Sequence, residues 1–324
     1  MNRGRIYLLA LMVLAALACP VGMYGQVNAP TVAGTVTYWI TATKKGQPIT
    51  DLKKEELQLW IGKQEQSISV LTFSPPEPLE VGLLIDTSGS RRDQWPGPET
   101  SLASGFLRRV LRPGDQAFIA HFNNKLYLDA HLSGDLSVLD QGLNYLAAVP
   151  PYGASAIYDA IVAASDHGAA DRPTHRVLVV ITDGEDNESW YPLDKSWNPL
   201  DQAMAVGQRT ATQLYFIGIP QRREGAGMQM HRENMKALRS IAAASGGRFF
   251  LASKKGEVES GFNSIVEVLR TQYALEFQSA GVSPSKKGNQ IKIKCSRPGV
   301  EILAPERGFY IQVQATGAKS FDIR

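Results

Sequence analysis

Two kinds of hydrophobic pattern alternate along the central part of this chain. From Leu79 onward, short unbroken apolar runs are followed by stretches in which apolar residues recur every three or four positions. An unbroken run such as 81–85 is what a strand buried on both faces requires, and the recurrence in 258–269 indicates an amphipathic helix. The repeated order predicts an α/β unit with a doubly wound, mostly parallel sheet covered by helices on both sides.

The predicted elements follow directly from these runs. Buried strands are expected at 81–85, 117–122, 177–181 and 214–219. Helices are expected at 102–111, 136–146, 156–169, 200–212, 234–244 and 258–269.

A β pattern flanks this unit on both sides. Residues 32–76 and 273–315 are rich in β-branched and aromatic residues and are punctuated by turns such as Lys45-Gly46-Gln47-Pro48. Each flank is short for an independent sheet. We therefore expect the two flanks to pair into one discontinuous all-β sandwich module, into which an α/β domain spanning 79–272 is inserted.

The first 25 residues have the pattern of a signal peptide. Two arginines precede an unbroken apolar stretch, Ile6–Ala18, which is shorter than the roughly 20 residues that span a bilayer. Small residues at Ala16 and Ala18 fit cleavage, near Ala18 or Gly25. The segment predicts a secreted, periplasmic or cell-envelope protein with no transmembrane span after its removal; an uncleaved anchor is the alternative.

Two cysteines, Cys19 and Cys295, predict no disulfide in the mature chain. Cys19 stands where a bacterial lipoprotein carries its lipid, but Ala16 occupies a position where Leu is usual and Pro20 follows, so lipidation is the less favoured alternative. Cys295 alternates with isoleucines in a strand-like run and is expected to be a packed small hydrophobe.

Charge argues against a nucleic-acid partner. The formal net charge is +3, but Arg3 and Arg5 lie in the signal segment, and the 32 other basic residues face 31 acidic ones. The remaining Lys and Arg pairs are scattered along the chain rather than gathered in a run. Hydrophobic content of 44% and charged content of 20% are those of an ordinary globular protein.

The candidate chemistry lies where the predicted strands end. Residues 86–90, Asp-Thr-Ser-Gly-Ser, directly follow the first buried strand and form a D-x-S-x-S loop. Ligands of an open parallel sheet sit beyond the carboxyl ends of its strands, and hydroxyl and carboxylate oxygens suit Mg²⁺ or Mn²⁺ rather than Zn²⁺. Gly89 is expected to let this loop curl so that both serines point inward.

Two further segments extend the pattern. Residues 153–160, Gly-Ala-Ser-Ala-Ile-Tyr-Asp-Ala, lie at the start of a predicted helix, where Ser155 offers a third hydroxyl. Residues 179–184 end a buried strand in Thr-Asp-Gly, which places Asp183 at the same edge of the sheet. One such motif is weak, but three in this order, each at a strand or helix end, are specific.

The order D-x-S-x-S, G-x-[ST]-x-[LI]-Y-D-A, T-D-G resembles the metal-ion-dependent adhesion site of von Willebrand factor A (VWA) domains, over about 79–272. The flanks are similar to a bacterial, exported "VWFA-related" subfamily common in Acidobacteria. The resemblance implies Mg²⁺, with Mn²⁺ or Ca²⁺ as alternatives, and one open coordination position that an acidic side chain of a partner protein fills. It implies five metal-site residues: Asp86, Ser88, Ser90, Ser155 and Asp183.

The resemblance also assigns roles to these residues. The three hydroxyls would bind the ion directly, and the two aspartates directly or through water. The chain departs from the family at two positions: Ser155 stands where Thr is usual, and Arg91 where Met is frequent. The missing methyl of Ser155 is expected to loosen the loop, and Arg91 to affect the choice of partner.

Other chemistry is less well supported. The acid-rich loop 183–188 lacks the spacing of an EF-hand and is interpreted as a solvated loop. The five histidines have no zinc spacing, and neither a G-x-S-x-G elbow nor a P-loop occurs. The aromatic insert 190–199 either packs on itself or forms a rim that contacts the partner.

The leading hypothesis is a cation-dependent protein-binding module without catalysis of its own. One alternative is a metal-assisted hydrolase, for which Asp159, Glu185 and His121 are candidate general bases without supporting spacing. Another is a structural envelope protein in which the cation only rigidifies the loops.

Overall fold

The computed structural model describes residues 34–74, 78–94, 99–167, 175–189, 199–221, 226–254, 256–279, 281–285 and 287–308. The predicted signal peptide, Cys19, the connector residues 75–77, most of the aromatic insert and the strand residues beyond 308 lie outside these ranges. None of the helices in the described ranges combines the length and apolar character needed to cross a membrane.

The described part of the chain contains fifteen strands and six α-helices. The strands are β1 (Thr35–Lys44), β2 (Gln47–Pro48), β3 (Leu57–Ile61), β4 (Gln64–Gln66), β5 (Ile68–Phe73), β6 (Leu79–Asp86), β7 (Gln116–Phe122), β8 (Leu126–Ser133), β9 (His175–Thr182), β10 (Thr212–Gly218), β11 (Phe249–Leu251), β12 (Gln272–Gln278), β13 (Asn289–Cys295), β14 (Val300–Leu303) and β15 (Arg307–Gly308). The helices are α1 (Glu99–Val110), α2 (Leu136–Ala147), α3 (Ile157–Asp166), α4 (Pro199–Arg209), α5 (Ala226–Ser245) and α6 (Glu257–Leu269).

A mixed six-stranded sheet forms the centre of the α/β part. Its strand order is β11-β10-β9-β6-β7-β8, and all neighbours are parallel except β8, which returns antiparallel to β7. Every residue of β6 and β9 is buried. Unbroken apolar runs therefore become central strands, as burial on both faces requires.

Helices cover both faces of this sheet. Alternate residues of β6 point to opposite sides: Leu83 belongs to a core shared with α1, α2 and α6, and Leu84 to one shared with α3, α4 and α5. The two apolar layers hold the strands in place, so the ends of the parallel strands are fixed relative to one another.

The flanking segments interleave in two further sheets. β1 pairs antiparallel with both β12 and β14, and β12 also pairs with β5. In the second sheet β13 pairs with β3, so here too a strand that follows the α/β part pairs with one that precedes it. The two sheets share one apolar core, to which Ile40, Leu59 and Phe277 contribute.

Asp115 ties together the two points where the chain enters and leaves the α/β part. Its Oδ1 accepts a hydrogen bond from the backbone N–H of Leu79 (2.8 Å), the first residue of β6. Its Oδ2 accepts from Arg270 (2.9 Å), which directly follows α6. Because Asp115 is buried, this charge-assisted junction is partly shielded from water and stronger than a surface pair.

A stack of two rings joins the β module to the α/β part. The imidazole of His175, at the start of β9, lies on the indole of Trp39 with ring centroids 3.7 Å apart and an angle of 13° between planes. Its Nε2 donates to Gln213 Oε1 (2.8 Å), since that oxygen can only accept. Burial lowers the pKa of His175 from 6.5 to about 4.

We expect this neutral histidine to make stability depend on pH. Between about pH 6.5 and pH 4 the unfolded chain binds a proton that the folded chain does not, so the free energy of unfolding falls as the pH falls, by about 3 kcal/mol at most. Urea unfolding from pH 7 to pH 4 measures the slope. A His175→Phe variant keeps a ring on Trp39 without a titrating group and should show a shallower slope; equal slopes would contradict the assignment.

Several elements differ from the predicted ones. β8 and β11 were not predicted, and β4 begins at Gln64, inside a predicted turn. Helix α5 begins eight residues before the predicted start at Asn234, and Met230 in this added stretch is exposed. Helix α4 ends at Arg209, and Thr212 already belongs to β10.

Candidate metal centre

The five predicted metal-site residues lie in three loops at one edge of the central sheet. The first loop follows β6, the second precedes α3 and the third follows β9. Asp86 and Asp183 are completely buried, Ser88 and Ser155 nearly so, and Ser90 is half-buried. Four of the five side chains are thus withdrawn from bulk water, and only Ser90 is partly exposed.

Asp86 organises the first loop. Its Oδ1 accepts the backbone N–H of Ser88 (2.9 Å), which turns the chain back over the end of β6. The hydroxyls of Ser88 and Ser90 lie 3.0 Å apart, so both point to the same side. The Asp86 Oδ2 accepts from the hydroxyl of Thr182 (2.6 Å), the last residue of β9.

The first and second loops are joined through their backbones. Gly89 N donates to Gly153 O (2.9 Å), and Tyr152 N donates to Thr87 O (3.0 Å). Gly89 has no left-handed backbone conformation, and a Cβ there would lie 3.1 Å from Gly153 O, so the glycine allows a close approach of the two loops. The left-handed residue is Gly153, at φ +77°.

The second and third loops are joined by reciprocal hydrogen bonds. Ser155 N donates to Asn187 Oδ1 (2.8 Å), and the backbone N–H groups of Asn187 and Glu188 both donate to Ser155 O (3.0 Å). The Ser155 hydroxyl, in contrast, is buried and has no hydrogen-bond partner. A buried hydroxyl without a partner costs about 1–3 kcal/mol unless something else fills that role.

The site contains two neighbouring carboxylates, Asp86 and Asp183, that are both buried away from water. Burial, and after it the neighbouring Asp183 carboxylate, raises the pKa of Asp86 from 3.8 to about 6, although hydrogen bonds from Ser88 and Thr182 act in the opposite direction. Two buried carboxylates side by side repel each other in a medium of low dielectric. A cation between them would remove this repulsion.

The residues fit a hard divalent cation. Carboxylate and hydroxyl oxygens are the ligands that Mg²⁺, Mn²⁺ and Ca²⁺ prefer, and the Ser155 hydroxyl is an oxygen with no other use. Within the described ranges, no group of three or more His, Cys, Asp and Glu side chains could hold a metal ion.

Arg91 does not do what the sequence led us to expect. Its side chain is completely buried and forms an ion pair with Glu99, which is also buried. It therefore cannot contact a partner. The pair links the turn after the D-x-S-x-S loop to the first residue of α1.

Sequence reasoning missed three residues that hold the loops together: Thr182, Asn187 and Gln221. Thr182 belongs to the quoted T-D-G motif, so a signal for it was present. Asn187 lies in the acid-rich loop that was interpreted as solvated. Gln221 follows β10, and no motif marks it.

The acid-rich loop is only partly solvated. Asp186 Oδ2 accepts the backbone N–H of Tyr158 (3.1 Å), in the first turn of α3, and Asp186 Oδ1 accepts that of Ser189 (3.1 Å). Burial raises the pKa of Asp186. The loop therefore satisfies the open N–H groups at the start of α3 and is part of the frame around Ser155.

Two further side chains singled out in the sequence make packing contacts outside the site. The Nδ1 of His121 is hydrogen-bonded to the carboxylate of Asp129 (2.8 Å), and the ring stacks on that of Tyr127, with ring centroids 4.8 Å apart. Cys295 is half-buried against the core of the β module.

No protein-family model matches the chain, and no curated protein matches it. Among solved structures, it is similar to BatB from Bacteroides thetaiotaomicron (18% identity, 59% of this chain and 97% of that one, TM-score 0.45). It is also similar to the vWF domain of the type V pili tip protein Mfa5 from Porphyromonas gingivalis (10%, 60% and 95%, 0.46). A third is the pilus adhesin SpaC from Lactobacillus rhamnosus GG (11%, 88% and 48%, 0.49). Likenesses this distant carry no information on function.

Proposed function

We propose that this chain is an extracytoplasmic protein whose α/β unit is a VWA-like domain inserted in a β-sandwich module, and that it binds a partner protein through a divalent cation. Mg²⁺ is the expected ion, with Mn²⁺ or Ca²⁺ as alternatives. The observation that supports this most strongly is the buried hydroxyl of Ser155, which has no hydrogen-bond partner and lies in the loop whose backbone is bonded to the loop that follows Asp86.

Each ligand type has a distinct part in this proposal. The hydroxyls of Ser88, Ser90 and Ser155 are neutral donors of electron pairs, and Asp86 and Asp183 supply the negative charge. Because the site has few carboxylates, a bound ion would keep enough positive charge to attract an acidic side chain into an open position. The partner is therefore expected to present an Asp or Glu at the contact.

Removing the Ser155 hydroxyl is expected to weaken Mg²⁺ binding by about 10- to 100-fold, the range seen even for outer partners of metal sites. Calorimetric titration of purified protein with Mg²⁺ or Mn²⁺ measures this. The matched control is Ser165→Ala, because Ser165 has another buried hydroxyl without a partner, far along α3 from the site. Equal affinity of the Ser155→Ala and Ser165→Ala variants would mean that Ser155 is not a ligand.

The binding function itself is tested by capture from the native envelope fraction. Wild-type protein and the Ser165→Ala variant should retain the same partner in Mg²⁺ and release it in EDTA, and the Ser155→Ala variant should retain little. A partner whose retention is unaffected by EDTA would point instead to a cation that only stabilises the loops.

A further inference from the structure

Gln221 joins two of the three loops of the candidate site. It lies three residues beyond the end of β10, and its side-chain nitrogen donates to the backbone oxygen of Ser90 (2.6 Å) and to Asp183 Oδ2 (3.0 Å). A carbonyl and a carboxylate oxygen can only accept. The amide must therefore present its NH₂ group here, and both N–H bonds are used.

This amide determines how the Asp183 carboxylate is held. The other oxygen, Asp183 Oδ1, accepts the backbone N–H of Glu185 (3.1 Å), so each oxygen accepts one hydrogen bond and the carboxylate cannot rotate freely. The bond to Ser90 O fixes the backbone next to the hydroxyl that pairs with Ser88. Gln221 thus joins the first and third loops near their ligands, in addition to the bond between Thr182 and Asp86 at the strand ends.

We infer that Gln221 is a positioning residue that makes the site selective for the smaller cation. This inference rests on the proposed cation site. Mg²⁺ demands near-ideal octahedral geometry at 2.0–2.1 Å, whereas Ca²⁺ accepts six to eight oxygens at longer and more variable distances. A clamp across two loops that carry ligands therefore favours Mg²⁺, and loss of the clamp costs Mg²⁺ more than Ca²⁺.

The test is the ratio of Mg²⁺ to Ca²⁺ affinity in Gln221→Met, a variant of similar length that cannot donate. Calorimetry with each metal should show an Mg²⁺ affinity about 10- to 100-fold lower, with a Ca²⁺ affinity changed by only a few fold. Gln278→Met is the control, because that amide also bridges to another residue, Thr35, but in the β module. It should leave both affinities unchanged.

A second variant guards against a general folding defect. Gln221→Asn keeps the amide but is one methylene too short to reach both acceptors, so it should show the same change in selectivity. Equal losses for both metals, or a wild-type ratio in both Gln221 variants, would overturn the inference. If wild-type protein binds neither metal, the proposed function fails instead, so the two failures are distinguishable.

Discussion

Replacing Asp86 by Asn is expected to make the metal-free protein more stable while abolishing its response to Mg²⁺. In the metal-free fold, Asp86 is a fully buried carboxylate beside the equally buried Asp183. A pKa held near 6 instead of 3.8 corresponds to about 3 kcal/mol of unfavourable free energy at neutral pH. Neutral Asn removes this repulsion and can still accept from Ser88 N.

The gain will be smaller than that figure because Asn fits the Thr182 hydroxyl less well than a carboxylate does. A net gain of about 1–2 kcal/mol is expected, which raises the Tm in EDTA by a few degrees for a chain of this size. Mg²⁺ should raise the Tm of the wild type by mass action and leave that of the variant unchanged, because one of the two charged ligands is gone.

Thermal unfolding in EDTA and in millimolar Mg²⁺ measures both effects. Asp129→Asn is the control: Asp129 is another buried carboxylate whose pKa burial raises, and it bonds His121 instead of lying among the site loops. That variant should keep the full Mg²⁺ response. A Mg²⁺-dependent rise in Tm that survives in Asp86→Asn would remove Asp86 from the site.

Gly247→Ala is expected to cause the largest loss of stability among substitutions of a single hydrogen by a methyl. Gly247 follows α5, and its N–H donates to Ala242 O (3.0 Å). A Cβ there would lie 2.1 Å from Leu214 O and 2.6 Å from Leu214 C. These are backbone atoms of β10, so no side chain can turn aside, and the strand or the helix end must move.

We expect a loss of about 3 kcal/mol or more in the free energy of unfolding, at the upper end of overpacking effects. Urea unfolding of the metal-free protein measures it. Gly105→Ala is the matched control, because a Cβ at that position in α1 has nothing within 4 Å; it should stabilise the protein by about 0.5–1 kcal/mol. A Gly247→Ala variant within 1 kcal/mol of wild type would contradict the close contact.

The central strands could be predicted because burial on both faces imposes a composition that few other segments have. The unbroken runs that were assigned to β6, β7, β9 and β10 are found there. β8 was not predicted because it is an edge strand in which only Leu126 and Ala130 are buried, so the alternation of buried and exposed residues along it is weak. β11 has three residues, too few for any period to appear.

The candidate site likewise contains residues that the sequence marks and residues that it does not. The five predicted metal-site residues carry a sequence signature because they stand at fixed steps in the D-x-S-x-S, G-x-[ST] and T-D-G motifs. Gln221 has no such signature, since it meets Ser90 and Asp183 across 131 and 38 residues of chain. Arg91 shows the converse: its position next to Ser90 suggested an effect on the choice of partner, but the side chain turns inward to Glu99.

The pairing of β1 with β12 and β14 has a mechanical consequence. If tension is applied at residues 34 and 308, it passes through the hydrogen bonds among these three strands, because β12 follows the α/β unit and β1 precedes it. The α/β unit lies outside this path, because the β5–β12 pair and the hydrogen bonds of Asp115 join the two points where the chain enters and leaves the unit. Tension between residues 34 and 308 would thus act first on the β module, whereas a load applied through the three loops would reach the β module by way of the junction at Asp115.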